Sequence, residues 1–307
     1  MDWQSEIEDA RRRIAGHARV TPVARLEPGG FDVAVKLEQM QHTGSFKVRG
    51  AFNTLLSVDV PSAGVVAASG GNHGAAVAFA ARRLGHPAHI FVPDVAGAAK
   101  IGLIERAGAT CHVIPGLYAD ALEAAQAHEA ATGAMQIHAY DSVPTVAGQG
   151  TCFAEWEEQG LDADTVLIAV GGGGLVAGAL AWFAGRRRIV AVEPEQSRAL
   201  NAALAAGAPV DVEVSGVAAN ALGARRIGDI CFDLAREADS VTVPDAAITE
   251  AQAMLWREAR QWVEPAGACA LAALVSGAYT PEPGERVAVL ICGANPAPDP
   301  VDALRTG

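Results

Sequence analysis

The sequence predicts an α/β protein in which parallel sheets carry helices on both faces. Short apolar stretches, such as residues 64–68, alternate with helical stretches of about 10–15 residues. Several of these apolar stretches lead directly into glycine-rich loops, and Gly171–Gly174 is the longest glycine run among them. Half of the 307 residues are hydrophobic and 33 are glycine, a composition typical of a packed α/β fold.

The first half of the chain sets the strand–helix alternation. The apolar spacing predicts a helix over residues 3–17, a strand over 33–38 and a helix that ends near Leu56. A strand at 64–68 leads into Ser69–Gly74 and an alanine-rich helix. The next predicted elements are strands at 88–92, 110–114 and 136–139, and helices at 98–106 and 119–131.

The pattern changes after residues 140–141, where longer helices and fully apolar strands begin. Residues 208–228 look irregular and contain several glycines. The predicted strands are 165–170, 188–193 and 287–291, and the predicted helices are 144–159, 245–262 and 265–275.

Composition and charge exclude several functions. A formal net charge of −12 argues against a broad nucleic-acid-binding surface. No apolar run reaches the roughly 20 residues that a membrane span needs, and the polar, acidic start is unlike a secretory signal. The five cysteines are scattered without a CxxC pair, so neither a disulfide framework nor a structural zinc site is expected. We therefore expect a cytoplasmic protein.

The glycine run 171–174 follows a predicted buried strand and precedes a predicted helix. Glycines free the backbone amides to converge on an anion, and the helix dipole favours negative charge there. The GK[ST] ending of a P-loop is missing, and so is the usual dinucleotide fingerprint. The run therefore favours a phosphate monoester, and the simpler alternative is a tight strand-to-helix turn.

Lys47 lies where a loop runs into a helix, with Phe46 before it and glycines on both sides. We interpret it as a lysine that forms a Schiff base with pyridoxal 5′-phosphate (PLP); alternatively it is an exposed residue at a helix start. Cys292 and the loop Ser69–Gly74 also follow predicted strands, and the carboxyl ends of parallel strands form one crevice. Their simpler alternatives are a buried inert thiol and a capped helix.

Together these motifs resemble the fold-type II PLP-dependent enzymes, in particular the group of serine/threonine dehydratases (threonine ammonia-lyases) and serine racemases. The resemblance spans nearly the whole chain, and the combination of motifs is far more specific than any one of them. The motifs are residues 43–50 (TGSFKVRG), 69–74 (SGGNHG), 148–151 (GQGT), 171–175 (GGGGL), 264–268 (EPAGA) and 292–295 (CGAN).

The resemblance implies a two-lobed, tryptophan synthase β-like fold with PLP in the cleft. The large PLP-binding domain would comprise residues 1–51 and 142–307, and the small domain residues 52–141. A homodimer and a small amino-acid substrate are implied as well, with neither nucleic acid nor membrane as a partner.

The resemblance also implies a role for each site residue. Lys47 would hold PLP and act as the base on the substrate Cα, Phe46 would lie against the ring, and Asn72 would bind the ring oxygen. Cys292 would face the pyridine nitrogen. The phosphate would lie on the backbone amides of Gly171, Gly172, Gly173, Gly174 and Leu175. The substrate carboxylate would lie on the loop that contributes Ser69, Gly70, Asn72 and His73.

Two departures from the group matter. Serine racemases carry a second serine at the position of Gly70, where it serves as the opposite base, so the two-base route is expected to be disabled. Many members carry an aspartate where this chain has Ser215, which puts a divalent-cation site in doubt, although Glu193 or Glu213 could contribute.

The expected function is the dehydration and deamination of a β-hydroxy amino acid, with L-threonine and L-serine favoured. The alternatives are another β-hydroxy amino acid, such as 3-hydroxyaspartate or phenylserine, a serine racemase-like isomerase, or a non-catalytic amino-acid-binding protein.

Overall fold

The apolar stretches of the chain form two separate sheets. The structure, a computed structural model, describes residues 1–296. The strands are β1 (Val23–Leu26), β2 (Val33–Leu37), β3 (Val65–Ala68), β4 (Ala88–Pro93), β5 (Thr110–Ile114), β6 (Met135–Gln136), β7 (Thr165–Ala169), β8 (Arg188–Pro194), β9 (Asp239–Val243) and β10 (Val287–Ile291). The helices are α1 (Trp3–Ile14), α2 (Lys47–Leu56), α3 (Asn72–Leu84), α4 (Ala98–Ala107), α5 (Tyr118–Thr132), α6 (Val143–Glu158), α7 (Gly174–Phe183), α8 (Ala199–Ala206), α9 (Ala219–Leu222), α10 (Asp229–Leu234), α11 (Asp245–Ala259) and α12 (Pro265–Ser276).

The larger sheet joins early and late parts of the chain. Its strand order is β1-β2-β10-β7-β8-β9, and every pairing is parallel except that of β1 with β2. Strand β10 lies between β2 and β7, with Val289 opposite Val35. The segments that follow β2 and β10 are therefore neighbours, and Ser45 forms an isolated antiparallel bridge with Gly293.

The smaller sheet has the order β5-β4-β3-β6 and is parallel throughout. Buried side chains on its helix-covered faces form apolar clusters apart from the core of the larger sheet. The alternation of strands with α3, α4 and α5 produces this arrangement, because parallel strands need crossover helices. We propose that this sheet is the core of the predicted small domain, residues 52–141.

The predicted α/β class with parallel-rich sheets is confirmed. Strands β5 and β10 have the predicted bounds, and most helices begin or end within a few residues of expectation. Strands β1 and β9 and helices α8 to α10 were not predicted from the sequence. Strands β1 and β9 are short and largely half-exposed, so they lack the continuous apolar run that marks a buried strand.

A buried ionic cluster lies beneath the helix that begins at Lys47. Arg49 is 2% exposed, and its Nε donates to Glu38 Oε1 at 2.6 Å while its Nη2 donates to Glu155 Oε2 at 2.8 Å. Lys36 Nζ donates to Glu155 Oε1 at 2.5 Å. Thr21 Oγ1 donates to Glu38 Oε2 at 2.7 Å. The cluster ties α2 to the end of β2 and to α6.

We predict that Arg49→Met strongly destabilises the fold. The substitution leaves the Glu38 carboxylate buried without its cation, a change that costs about 3–5 kcal/mol of unfolding free energy. Urea unfolding followed by circular dichroism measures it. The matched control is Arg188→Met, which breaks a half-exposed pair with Asp239 and should cost about 1 kcal/mol or less. Equal losses in the two variants would contradict a special role for the buried cluster.

Candidate active site

One pocket forms where the loops after β2, β3, β7 and β10 converge. In parallel sheets, ligands bind in the crevice at the carboxyl ends of the strands, and this pocket lies there. Its walls combine the lysine motif, the glycine run and the cysteine motif. The lining residues are Phe46, Lys47, Asn72, Ala169, Gly171, Gly172, Gly173, Gly174, Leu175, Ala221, Leu222, Glu264, Ala266 and Cys292.

Lys47 is the first residue of α2, and its side chain turns into this pocket. Its Nζ donates to the carbonyl oxygen of Ala139 at 2.7 Å and lies 5.0 Å from the centroid of the Phe46 ring. Burial disfavours the ammonium form and lowers the pKa of Lys47 to about 8. Neutral amine is therefore far more abundant near neutral pH than it is for an ordinary lysine, as a nucleophilic lysine requires.

The glycine run forms a cradle that only glycines can build. A Cβ on Gly172 would overlap the ring of Tyr140, and a Cβ on Gly173, whose φ is +95°, would overlap Cys231 Sγ. The ten-residue helix α7 starts at Gly174, so its free amides and dipole point into the same pocket. These features fit the phosphate group of PLP, while Lys47 fits its aldehyde.

Asn72 is held in one orientation by two neighbours. Its Nδ2 donates to Glu264 Oε1 at 2.6 Å, and its Oδ1 accepts from Asn295 Nδ2 at 2.8 Å. Asn295 Nδ2 also donates to the carbonyl oxygen of Thr43 at 2.7 Å, which fixes that amide. Because the bond to Glu264 uses only one of its two N–H groups, Asn72 keeps a second N–H available to face the pocket. Burial raises the pKa of Glu264 to about 7.

Cys292 follows β10 and is 3% exposed. Its Sγ donates to the carbonyl oxygen of Ala266 at 3.4 Å, and burial raises its pKa to about 12. The group at this wall of the pocket is thus a neutral thiol rather than a carboxylate.

The other predicted substrate residues lie beside the pocket rather than on its lining. Ser69 Oγ accepts from the Gly71 amide at 3.3 Å. Gly70 is packed against the β4–α4 loop, so a Cβ there would lie 2.6 Å from the Cβ of Ala96. His73 is buried, its Nε2 lies 2.9 Å from the carbonyl oxygen of Ile137, and burial lowers its pKa to about 3. His73 is therefore neutral and bonded to the segment after β6.

Several residues at or beside this pocket were not predicted from the sequence. Tyr140 packs against Gly172 and Gly174 of the glycine cradle, and its hydroxyl donates to the carbonyl oxygen of Arg226 at 3.4 Å. Ala221 and Leu222 come from the region predicted as irregular. The only sequence signal for Tyr140 was the change of pattern at that position, because its contacts depend on tertiary packing.

Glu193 and Glu213, the two carboxylates considered for a divalent cation, lie in different surroundings. Glu193 is buried and accepts hydrogen bonds from the amides of Leu200 and Asn201, so its carboxylate caps α8, while Glu213 is exposed. Over residues 1–296 no group of three or more histidine, cysteine or acidic side chains is arranged to hold a metal ion.

Across the described residues 1–296, no helix combines the length and apolar character that a bilayer crossing demands.

The chain belongs to the family of pyridoxal-phosphate-dependent enzymes, whose family pattern matches residues 14–293. PLP is accordingly its cofactor. The phenylserine dehydratase of Ralstonia pickettii is 35% identical over 95% of this chain and 92% of its own. The L-threonine ammonia-lyase of Thermotoga maritima is 33% identical over 94% of this chain and 75% of its own. The structure of maize serine racemase superimposes with a TM-score of 0.92 at 31% identity, covering 99% and 96% of the two chains.

We predict that the apo-protein captures PLP with a pH dependence set by Lys47. Only the neutral amine attacks the aldehyde, so the capture rate should rise with pH and level off above about 8. With an ordinary lysine, whose pKa is about 10.4, the capture rate would keep rising above pH 8. Stopped-flow absorbance after mixing apo-protein with PLP measures the rate, and a lysine with a blocked α-amine serves as control. An inflection shared with that control would contradict the lowered pKa.

Proposed function

We propose that this chain is a PLP-dependent dehydratase of a β-hydroxy amino acid, with L-threonine or L-serine as the favoured substrate. The observation that carries the proposal is the shared pocket of Lys47, the glycine cradle and the neutral thiol of Cys292. The reaction removes the β-hydroxyl and the amino group. Its products are a 2-keto acid and ammonium.

PLP, when bound, withdraws electrons from the bonds at the substrate Cα. The amides of Gly171 to Leu175 would hold its phosphate, and Asn72 would donate an N–H to the ring oxygen. Lys47 would hold the aldehyde carbon in the resting enzyme, and its amine, released when the substrate amine replaces it, would accept the proton from Cα. Phe46 and the apolar walls exclude water from this proton transfer.

The neutral thiol of Cys292 favours elimination over routes that need a long-lived carbanion. A group with a pKa raised to about 12 does not supply an ion pair to a protonated pyridine nitrogen. Negative charge at Cα is then poorly stored, so departure of the β-hydroxyl concerted with deprotonation, or soon after it, is the favourable outcome. Gly70 supplies no side chain for a base on the opposite face.

The pocket also bears on the substrate side chain. Ala169, Ala221 and Leu222 give it apolar walls, which favour an uncharged β-substituent over a second carboxylate. Both dehydratases named above support the reaction class, and one of them is named for phenylserine. Phenylserine is therefore the second candidate substrate. The proposal further includes a homodimer located in the cytoplasm.

We predict that the holoenzyme releases a 2-keto acid from L-threonine or L-serine, and that Lys47→Ala reduces turnover by at least about a thousandfold, since it removes both attachment and base. A panel of L-threonine, L-serine, phenylserine and 3-hydroxyaspartate, assayed by keto-acid formation, identifies the substrate. Arg83→Gln, an exposed change on α3, should match the unmodified enzyme. Undiminished turnover in Lys47→Ala would refute the mechanism.

We also predict that Gly70→Ser does not create a racemase. The new Cβ would lie 2.6 Å from that of Ala96, so the loop must shift and keto-acid formation should fall. The double variant Gly70→Ser with Ala96→Gly provides the space and should recover part of that loss. Chiral chromatography and deuterium incorporation at Cα of recovered substrate measure racemisation. Appearance of the D-isomer with Gly70→Ser would contradict this prediction, and its appearance with the unmodified enzyme would contradict the one-base interpretation.

A further inference from the structure

Lys100 is a buried cation that the functions considered so far do not use. It lies on α4 of the smaller-sheet lobe and is 8% exposed. Its Nζ donates to the carbonyl oxygen of Asn220, which belongs to α9 on the other side of the cleft. Asn220 directly precedes Ala221 and Leu222, so the ammonium reaches the wall of the PLP pocket.

The ammonium also faces the loop predicted to hold the substrate carboxylate. A Cβ built on Gly71 would lie 3.8 Å from Lys100 Nζ and 3.7 Å from the carbonyl oxygen of Asn220. These are ordinary contact distances, so Gly71 leaves room of about one atom between the loop backbone and the charge. An anion on the amides of this loop would have the ammonium as its neighbour.

Within the described residues, Lys100 has one hydrogen-bond acceptor and forms no ion pair with a carboxylate. An ammonium carries three donors, and a buried charge is costly unless it is paired. Burial lowers the pKa of Lys100, and the nearby charge of Glu264 opposes that effect. Glu264 itself is bonded to Asn72. Among residues 1–296, the ammonium of Lys100 thus has a nearby carboxylate in Glu264 but no carboxylate in direct contact.

The surroundings of Lys100 also provide a route from solvent. It lines an open pocket of about 280 Å³ next to the PLP pocket. Asn295 belongs to both surroundings, because it lines this open pocket and also donates to Asn72. The Asn295–Asn72 hydrogen bond therefore joins the surroundings of Lys100 to the lining of the PLP pocket.

We propose that Lys100 binds the carboxylate of the amino-acid substrate on the loop Ser69–Asn72. The inference rests on the proposed function, because it concerns the same pocket. It assigns to α4 a specificity role: the ammonium selects amino acids with a free carboxylate over their amides. Domain contact through Asn220 is the competing explanation, in which Lys100 only holds α4 against α9.

Binding of two unreactive ligands separates these explanations. L-Alanine and L-alaninamide lack a β-hydroxyl, so neither undergoes elimination, and both are titrated against the holoenzyme by the change in cofactor absorbance. A hydrogen bond to a charged group predicts that Lys100→Gln weakens L-alanine binding by about ten- to a hundredfold. The affinity for L-alaninamide should change by less than about threefold. Lys100→Arg keeps the charge and should recover most of the preference for L-alanine.

Several readouts keep the test decisive. PLP affinity should be unchanged in Lys100→Gln, and with the active substrate KM should rise far more than kcat falls. Arg83→Gln, which removes an exposed positive charge from α3, should leave both ligands unaffected. Equal weakening of both ligands would show that Lys100 acts only as a contact between lobes, and unchanged binding of both would also overturn the proposal. The titration does not depend on elimination, so it remains informative if no keto acid forms.

Discussion

The position of Lys47 depends on Arg49, two residues further along the same helix. The guanidinium lies between the carboxylates of Glu38 and Glu155, and Lys36 completes the charge balance. Each of these groups would be costly to bury alone, but together they satisfy one another. The cluster fixes the rotation of α2, because a turn of the helix would separate Arg49 from both partners. Lys47 consequently projects into the crevice and not into solvent.

The same crevice sets the chemistry through exclusion of water. Burial makes Lys47 easier to deprotonate and makes Glu264 and Cys292 harder to deprotonate. These three shifts have one cause and give three useful states: a nucleophilic amine, a carboxyl group able to hold or release a proton, and a neutral thiol. An active site that must both attach a cofactor and move a proton needs groups whose pKa values are shifted apart in this way.

Much of this arrangement could be predicted from sequence, and the part that could not is tertiary. The run Gly171–Gly174 and the motif around Lys47 are local signals, so the sequence identifies them directly. The fold and the family are confirmed, whereas the individual site roles remain predictions. Lys100 carries no local signal and Tyr140 has only the change of pattern beside it, because their contacts are with residues far away in the chain. These are Gly172 for Tyr140, and Gly71 and Asn220 for Lys100. Arg49 belongs to the lysine motif, but its ion pairs cannot be predicted from the motif because their carboxylates, Glu38 and Glu155, lie on two other elements.

The central place of β10 in the larger sheet has a consequence for synthesis of the chain. Strand β2 is made early but has its parallel partner only when residues 287–291 emerge from the ribosome. The thiol of Cys292 and the Ser45–Gly293 bridge become available at the same moment. Such long-range pairing delays folding, because a large loop must close before the contacts form. Nascent chains therefore contain Lys47 and the glycine cradle long before they contain a complete pocket, and cofactor capture becomes a late check on completed folding.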